Sequence, residues 1–264
     1  MKSMHWETLL CRQEQGVAWI TLNLPLAQNR VNLQMAIEIM EVCRQVREDD
    51  GIRVAVLFGS GEFFCAGDEE EPLPLDGENP AEQTKTSLAA RRAAGCLGAR
   101  EKPVIAAING DALGHGLEMA LACDIRIAAT NARMGLPQIC QGSIPWDGGT
   151  QRLPRIVGRA CAAEMLLTGK VLDAAEALRI GLVHQVVPPG QISERVEQAA
   201  ASLASLAPVA ARYAKEAVLK GMDMTLEQGM RLEMDLNLLL QTTEDRAEGI
   251  ASFLERRQPR FTGT

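Results

Sequence analysis

The sequence predicts an α/β fold, built on a mostly parallel sheet and followed by a C-terminal helical region. Strand-like and helix-like segments alternate up to about residue 190, every later segment has a helical pattern, and apolar residues make up 47% of the 264 residues. Such alternation is typical of parallel sheets covered by helices, and a chain this apolar buries a sizeable core. We therefore expect a core domain over residues 1–190 and a C-terminal helical region over residues 191–264.

Each element of the core domain has its own pattern. Runs rich in β-branched and apolar residues predict strands at 17–22, 52–58, 103–108 and 124–129. Helical spacing predicts a helix over 33–46, with Glu38 on its water-facing side, and an Ala-rich segment predicts another over 88–97. The acidic, Pro-interrupted stretch 68–82 predicts a mobile surface loop.

In the C-terminal region, helical patterns cover 192–206, 209–220, 226–240 and 245–255. Within the third of these helices, an apolar residue recurs every four positions, which is more than one amphipathic stripe requires: Leu226, Met230, Met234 and Leu238. These side chains either belong to an ordinary core or pack against a neighbouring subunit.

Composition and charge exclude several functional classes. A formal net charge of −7 and only 3% aromatic residues argue against nucleic-acid binding, which uses clustered Lys and Arg and stacking aromatics. No apolar run approaches the roughly 18–20 residues of a membrane span. The seven cysteines are scattered and the three histidines are isolated, so we expect a reducing, cytoplasmic setting and no metal site.

Two glycine-punctuated turns follow predicted strands and provide the strongest functional signal. The first is Phe-Cys-Ala-Gly-Asp-Glu at 64–69, and the second is Asn-Gly-Asp-Ala-Leu-Gly-His-Gly-Leu-Glu at 109–118, which leads into a helix. Such turns either reverse the chain or present backbone N–H groups that together form an oxyanion hole. A dinucleotide-binding fingerprint fits less well, because its third glycine would fall on Met119.

These turns lie in longer segments that resemble the crotonase (enoyl-CoA hydratase/isomerase) superfamily. The resemblance covers 64–69, 102–124, 142–154 and the tail 244–261, in the same order and over nearly the whole chain. It implies a crotonase-like spiral of ββα units with a C-terminal helical region, assembled as a homotrimer or a dimer of trimers. It also implies an acyl-CoA thioester substrate, with no cofactor beyond the coenzyme A that the substrate carries.

In this family a thioester enolate is held by two backbone N–H groups. Matched position by position, the resemblance assigns them to Asp68 and His115 and places Ala66, Gly67 and Gly114 beside the substrate. Both donors depart from the family pattern, which usually has a small residue at the first position and Gly at the second. Backbone donation survives either side chain, and the His115 side chain either acts as an acid or base or lines the pocket.

The family's hydratases use two Glu residues for proton transfer. One matches Glu118, but the other position is Gln138, whose amide orients water or substrate and cannot exchange a proton at neutral pH. Asp147 stands where the family commonly has a small residue, and we expect it to handle the second proton. The alternative for Asp147 is structural, as the N-cap of the helix that runs on through Val157.

Two further residues complete the expected site. Arg30 aligns roughly with a family position near the pantetheine and adenine of coenzyme A, and Trp146 either walls the pocket or fills core. Together these residues predict a lyase that hydrates a 2-enoyl-CoA or a conjugated dienoyl-CoA, alicyclic acyl groups included. The alternatives are a double-bond isomerase, a thioester or C–C hydrolase and, less favoured, a non-catalytic acyl-CoA-binding protein.

Overall fold

The computed structural model describes residues 6–69, 80–99 and 101–264, with the backbone alone for residues 80–84. Within these ranges the strands are β1 (Leu9–Glu14), β2 (Val17–Leu22), β3 (Val54–Gly59), β4 (Val104–Ile108), β5 (Ala112–Leu113), β6 (Ile125–Ala129), β7 (Arg133–Gly135), β8 (Val171–Asp173) and β9 (Gln185–Val187). The helices are α1 (Leu33–Glu48), α2 (Pro80–Ala90), α3 (Ala93–Gly98), α4 (His115–Ala122), α5 (Gly149–Thr168), α6 (Ala174–Arg179), α7 (Ile192–Ala204), α8 (Pro208–Gly221), α9 (Leu226–Leu240) and α10 (Glu244–Glu255). None of the helices in these ranges is long and apolar enough to cross a membrane.

A six-stranded sheet in the order β1-β2-β3-β4-β6-β9 forms the centre of the fold. Its strand pairs are parallel except for β1 and β2, which confirms the predicted mostly parallel sheet. The four predicted strands correspond to β2, β3, β4 and β6, while the sequence pattern misses β1 and β9. Strands β5, β7 and β8 form a second, small sheet and have two or three residues each, too few for a periodic pattern to reveal.

Both faces of the large sheet are buried at its centre. Along β3, Ala55 and Leu57 face a core shared with α1 and α3, whereas Val54 and Val56 face a second core closed by α7. Alternate residues of a strand point to opposite faces, so a strand that is apolar at every position is covered on both sides. The predicted division into two domains stays a prediction; α7, which lies beyond the predicted boundary, packs on this sheet through Ile192.

Two predictions between β3 and β4 need correction. The predicted helix over 88–97 is two helices, because the chain turns between α2 and α3. The predicted loop over 68–82 is wrong at its end, since α2 already begins at Pro80. Residues 70–79, the middle of that predicted loop, lie outside the described residues.

Glu38 was expected to face water, and that prediction is wrong. Its side chain is buried, and its carboxylate accepts hydrogen bonds from the N–H groups of Glu7 and Thr8 at 2.8 and 2.9 Å. These two residues precede β1, so the carboxylate joins the start of the sheet to α1. Helical spacing cannot show that another segment covers a polar face of a helix.

The predicted C-terminal helices are confirmed as α7 to α10, but the apolar stripe of α9 is not part of a core. Leu226, Met230, Met234 and Leu238 expose between 63% and 81% of their surface. Of the residues in α9, Leu236 is buried. The ordinary-core alternative is therefore wrong, and a neighbouring subunit that covers this stripe stays a prediction.

Candidate active site

Each of the two predicted turns contains a glycine with a backbone angle that other residues rarely adopt. Gly67 has a φ of +116° and Gly114 has a φ of +52°, and each directly precedes one of the predicted donors, Asp68 and His115. The two turns are in contact, since a Cβ added to Gly114 would lie 3.6 Å from the Gly67 Cα atom. The backbone therefore places the two predicted donors close together.

The N–H groups of both residues lie outside the regular backbone hydrogen bonding around them. Val31 and Asp68 form a parallel bridge, in which the bonds run from the Val31 N–H to the Gly67 oxygen (2.8 Å) and from the Glu69 N–H to the Val31 oxygen (2.9 Å). The Asp68 N–H therefore points away from Val31 and takes no part in this bridge. His115 is the first residue of α4, where N–H groups have no partner within the helix. Two such donors are able to hold an oxyanion.

The His115 side chain is fully buried and lies between two carboxylates. Its Nδ1 atom is 2.7 Å from Asp68 Oδ1, and its Nε2 atom is 3.2 Å from Asp147 Oδ2. Burial alone would lower the pKa of the imidazole, but the hydrogen bonds to Asp147 and Asp68 outweigh burial and raise the pKa to about 9. His115 is therefore an imidazolium at neutral pH. The Trp146 ring packs against it, with 4.8 Å between the ring centroids.

Asp147 is buried, and donors surround its carboxylate. Its Oδ2 atom accepts from the Ala94 N–H at 2.7 Å, the Gly95 N–H lies 3.1 Å from both oxygens, and Arg92 Nε lies 3.4 Å from Oδ1. Burial would raise the pKa of this carboxyl, but the hydrogen bond and charge of His115 and the amides of α3 outweigh burial and lower it. Asp147 is therefore ionised at neutral pH, and both of its oxygens are occupied.

Glu118 is the other buried carboxylate of the site, and its two oxygens differ. Oε1 accepts from the N–H groups of Asp147 and Gly149, both at 2.8 Å. Oε2 is buried and has no hydrogen-bond partner among the described residues. Burial raises the pKa of this carboxyl, and the neighbouring charge of His115 offsets that effect only in part. Glu118 is thus the better suited of the two carboxyls to take up and return a proton near neutral pH.

The structure also corrects the structural alternative for Asp147. The N-cap of α5 is Gly148, which makes no side-chain cap hydrogen bond, and Glu118 accepts from the Gly149 N–H at the start of that helix. The Asp147 carboxylate is directed to α3 and binds the N–H groups at the start of that helix. The N-cap prediction is therefore wrong, because a different carboxylate binds the start of α5.

Gln138 lies in the 3₁₀ turn Pro137–Gln141, beside the second glycine turn. Its Nε2 atom would be 3.5 Å from a Cβ added to Gly114. Both its amide oxygen and its amide nitrogen are buried without a hydrogen-bond partner in the described part of the chain. Buried polar atoms are normally hydrogen-bonded, so this amide is suited to hold a water molecule or a substrate.

The remaining predicted residues lie around the first turn. Arg30 Nη1 donates to the Asp68 carbonyl oxygen at 3.2 Å, and the Ala66 N–H donates to the Gln28 oxygen at 3.1 Å. The structure thus gathers all the predicted site residues in one region: Arg30, Ala66, Gly67, Asp68, Gly114, His115, Glu118, Gln138, Trp146 and Asp147.

One part of the site has no counterpart in the sequence prediction. Arg92, Ala94 and Gly95, around the start of α3, bind the Asp147 carboxylate. Ala94 and Asp147 are 53 positions apart, and no spacing or motif connects them. The one local signal is the arginine pair at 91–92, which interrupts the Ala-rich run where α2 and α3 separate.

Known proteins are similar to this chain over nearly its full length. The family model described as enoyl-CoA hydratase/isomerase matches residues 12–264. The (E)-benzylidenesuccinyl-CoA hydratase of Thauera aromatica is 43% identical over 250 residues, which are 94% of this chain and 96% of that protein. The 2,3-dehydroadipyl-CoA hydratase of Escherichia coli K12 is 40% identical over 256 residues, which are 97% of this chain and 98% of that protein. The crystal structure of an enoyl-CoA hydratase from Bacillus anthracis matches with a TM-score of 0.92 at 37% identity, covering 98% of this chain and 100% of that one.

Proposed function

The chain belongs to the enoyl-CoA hydratase/isomerase family, and we propose that it adds water to the double bond of a 2-enoyl-CoA or conjugated dienoyl-CoA thioester. Membership confirms the predicted crotonase-like fold with its C-terminal helical region and identifies the chain as an enzyme. The observation that supports hydration is the state of Glu118. This buried carboxyl has one oxygen fixed by two backbone amides and the other without a partner among the described residues.

The two glycine turns supply the electrostatic part of this reaction. With the thioester oxygen between the N–H groups of Asp68 and His115, a nucleophile that adds to the third acyl carbon pushes the electrons of the double bond onto that oxygen. Fixed donors stabilise this enolate more than the neutral substrate, which lowers the barrier. Gly67 and Gly114 hold the donors in place through their positive φ angles.

Glu118 carries the proton in both steps of the proposed reaction. As a carboxylate it takes a proton from water while the hydroxide adds to the third acyl carbon. As a carboxylic acid it then gives that proton to the second acyl carbon, and the thioester carbonyl re-forms. One water has been added and Glu118 is back in its starting state. A pKa raised by burial makes the carboxylate a stronger base and suits this double role.

Gln138 and Asp147 support this chemistry in different ways. In our proposal the Gln138 amide binds the reacting water. Both of its polar atoms are free to do so, because they lack hydrogen-bond partners among the described residues. That Asp147 handles the second proton stays a prediction from the sequence. The geometry favours a supporting role instead, because its oxygens already accept hydrogen bonds and its pKa is lowered by His115 and the amides of α3 despite burial.

Arg30 and Trp146 mark the two ends of the proposed substrate site. The Arg30 guanidinium lies beside the Asp68 carbonyl oxygen, where its charge attracts the phosphates of coenzyme A. The Trp146 ring, packed on His115, offers a flat wall to a conjugated or alicyclic acyl group. Candidate substrates therefore include the thioesters named for two relatives, benzylidenesuccinyl-CoA and 2,3-dehydroadipyl-CoA. A substrate panel contains these two beside linear and alicyclic enoyl- and dienoyl-CoA esters.

A specific observation also favours a second candidate, a double-bond isomerase. Glu118 is the carboxyl of this site with a buried oxygen that has no partner among the described residues, and Gln138 cannot exchange protons. A single proton carrier is sufficient to move a proton from the fourth to the second acyl carbon without adding water. The two reactions differ in whether the product gains the mass of one water.

We further propose that the chain assembles as a homotrimer or a dimer of trimers. The exposed apolar stripe on α9 supports a covering subunit, because such a surface is unfavourable in water. Sedimentation measurements on the full chain are expected to show a trimer or hexamer, and a monomer would contradict this proposal. The reaction uses no cofactor beyond the coenzyme A of the substrate, and a cytoplasmic location stays a prediction.

The test is incubation of the protein with the panel of CoA esters, followed by mass spectrometry. A gain of one water confirms hydration, and an unchanged mass with a shifted chromophore indicates isomerisation. Release of free coenzyme A indicates hydrolysis and contradicts the proposal. Binding without turnover across the panel would contradict the proposed reaction on these substrates.

A further inference from the structure

The side chains of the two proposed oxyanion-hole residues are bonded to each other, and the hydration scheme makes no use of that bond. Asp68 Oδ1 lies 2.7 Å from His115 Nδ1, so an ion pair joins the first turn to the start of α4. On the other side of the ring, Nε2 lies 3.2 Å from Asp147 Oδ2. The ring is fully buried and both of its nitrogens are engaged.

We propose that His115 is a positioning residue whose imidazolium holds the Asp68 turn, the start of α4 and the loop before α5 together. This inference rests on the proposed function, because His115 would set the geometry of the oxyanion hole and of Glu118 for that reaction. We call Asp68, His115 and Asp147 the clamp. Because both ring N–H groups bind carboxylates, the His115 side chain has no donor left for the substrate.

The clamp reaches Glu118 through Asp147. The Asp147 carboxylate binds His115 and the N–H groups of Ala94 and Gly95, while its own N–H donates to Glu118 Oε1 at 2.8 Å. Loss of the imidazolium leaves the buried Asp147 carboxylate without its buried counter-ion, and the exposed Arg92 replaces it only weakly, which is unfavourable. The loop that orients Glu118 then loses its anchor, and a misplacement of about 1 Å in an active site costs ~10²-fold in rate.

The charges around His115 determine how its loss affects the pH dependence. Asp68 faces His115 from the first turn, and Asp147 faces it from the loop before α5. Arg92 lies 3.4 Å from the Asp147 carboxylate, and Glu118 lies on the same helix as His115. The imidazolium favours the ionised form of Glu118, so a neutral residue in its place raises the pKa of Glu118. The acidic limb of kcat/KM then moves to higher pH. Removing the charge of Asp68 keeps the ion pair between His115 and Asp147. The acidic limb of kcat/KM therefore does not move to higher pH.

The experiment compares His115→Gln and Asp68→Asn with a matched control, Lys215→Met. Lys215 forms a partly buried ion pair with Asp124 at 2.7 Å, outside the candidate site. We expect His115→Gln to lower kcat by ~10²-fold and to move the acidic limb of kcat/KM to higher pH. Asp68→Asn lowers kcat by about 10-fold with the limb in place, since it breaks one side of the clamp. Lys215→Met lowers Tm and leaves kcat and the limb unchanged.

Wild-type kcat and a wild-type acidic limb in His115→Gln would overturn the proposal. A His115→Gln enzyme that loses Tm as Lys215→Met does, with its limb unmoved, would show a merely structural role and would also overturn it. If His115→Gln does not fold, Asp68→Asn decides, because the Asp68 side chain is 30% exposed and tolerates replacement. Wild-type kcat in that variant contradicts the clamp.

NMR of protein labelled with ¹⁵N-histidine measures the clamp independently of turnover. We expect the His115 imidazolium of the wild-type protein to titrate with a pKa of about 9, and at lower pH in Asp68→Asn. A wild-type protein that hydrates none of the CoA esters refutes the proposed function. A His115 ring that is neutral at neutral pH refutes the clamp, whether or not the protein turns over.

Discussion

Two corners of the candidate site treat polar atoms in opposite ways. In the clamp, each nitrogen of His115 faces a carboxylate, and both oxygens of Asp147 accept hydrogen bonds. In the open corner, formed by Glu118 and Gln138, Glu118 Oε2 and both amide atoms of Gln138 are buried without partners among the described residues. An unsatisfied buried polar group costs about 1–3 kcal/mol. In our proposal the clamp therefore holds the geometry, while the open corner keeps polar atoms for water and substrate.

The largest effect is expected in the open corner, from Glu118→Gln. The variant keeps an oxygen that accepts from the N–H groups of Asp147 and Gly149 but cannot transfer a proton. We expect kcat to fall by about 10²–10⁴-fold, with substrate affinity and Tm nearly unchanged. Steady-state kinetics and calorimetry on the same preparation check both parts. Near wild-type kcat would remove Glu118 from the reaction.

In the clamp, Asp147→Asn is expected to affect stability first. It replaces the buried counter-ion of His115, and breaking a buried ion pair costs about 3–5 kcal/mol. We expect a loss of this size in the free energy of unfolding by urea, with a fall in kcat of about 10-fold. Glu48→Gln, which removes an exposed ion pair with Arg44, serves as control and leaves stability almost unchanged. Full stability with no turnover in Asp147→Asn would instead favour direct proton transfer by Asp147.

The clamp also predicts how stability depends on pH. The pKa of His115 is raised from 6.5 to about 9 on folding, so the folded state binds the proton more tightly than the unfolded state. The resulting stabilisation is fully present below pH 6.5 and is lost as pH rises through about 9. It amounts to ~3 kcal/mol. Urea unfolding across this range is expected to show the loss in the wild-type protein and a flatter profile in His115→Gln. Equal slopes in the two proteins would contradict this account.

The smallest effect is expected from Gln138→Leu. The sign of its effect on stability distinguishes the open corner from the clamp. An apolar side chain removes two buried polar atoms that have no partner among the described residues. Stability is therefore expected to rise by about 1 kcal/mol, whereas Asp147→Asn lowers it. Turnover falls by about 10-fold, since the reacting water loses its hydrogen bonds. A clear loss of stability would show that the Gln138 amide has a structural role.

Local patterns were sufficient to predict the centre of the fold, whereas Glu118 and Gln138 of the open corner were assigned by the resemblance to a known family. The alternation of strands and helices predicts the parallel sheet, and the glycine turns with Glu118 are recognisable because they occupy short, continuous segments. The exposed stripe of α9 shows the limit of such patterns. Periodicity reveals an apolar face, but it does not reveal whether the same chain or another subunit covers it.

The contacts within the clamp could not be predicted from the sequence, for a related reason. His115 lies 47 positions from Asp68 and 32 from Asp147, so three separate segments must fold before any of these charges meet. Asp147 appeared either as an acid or as the cap of α5, and the structure instead directs its carboxylate to α3. The position of each residue was predictable from motif and resemblance. Which charge faces which depends on tertiary packing.

Infrared titration of the unliganded protein tests most directly which carboxyl of the site holds a proton. We expect a protonated-carboxyl band that persists above the ordinary titration range of carboxylates, because burial raises the pKa of Glu118. This band is expected to disappear in Glu118→Gln and to remain in Asp147→Asn. A band that remains in Glu118→Gln and disappears in Asp147→Asn would contradict the account, because it would make Asp147 the proton carrier.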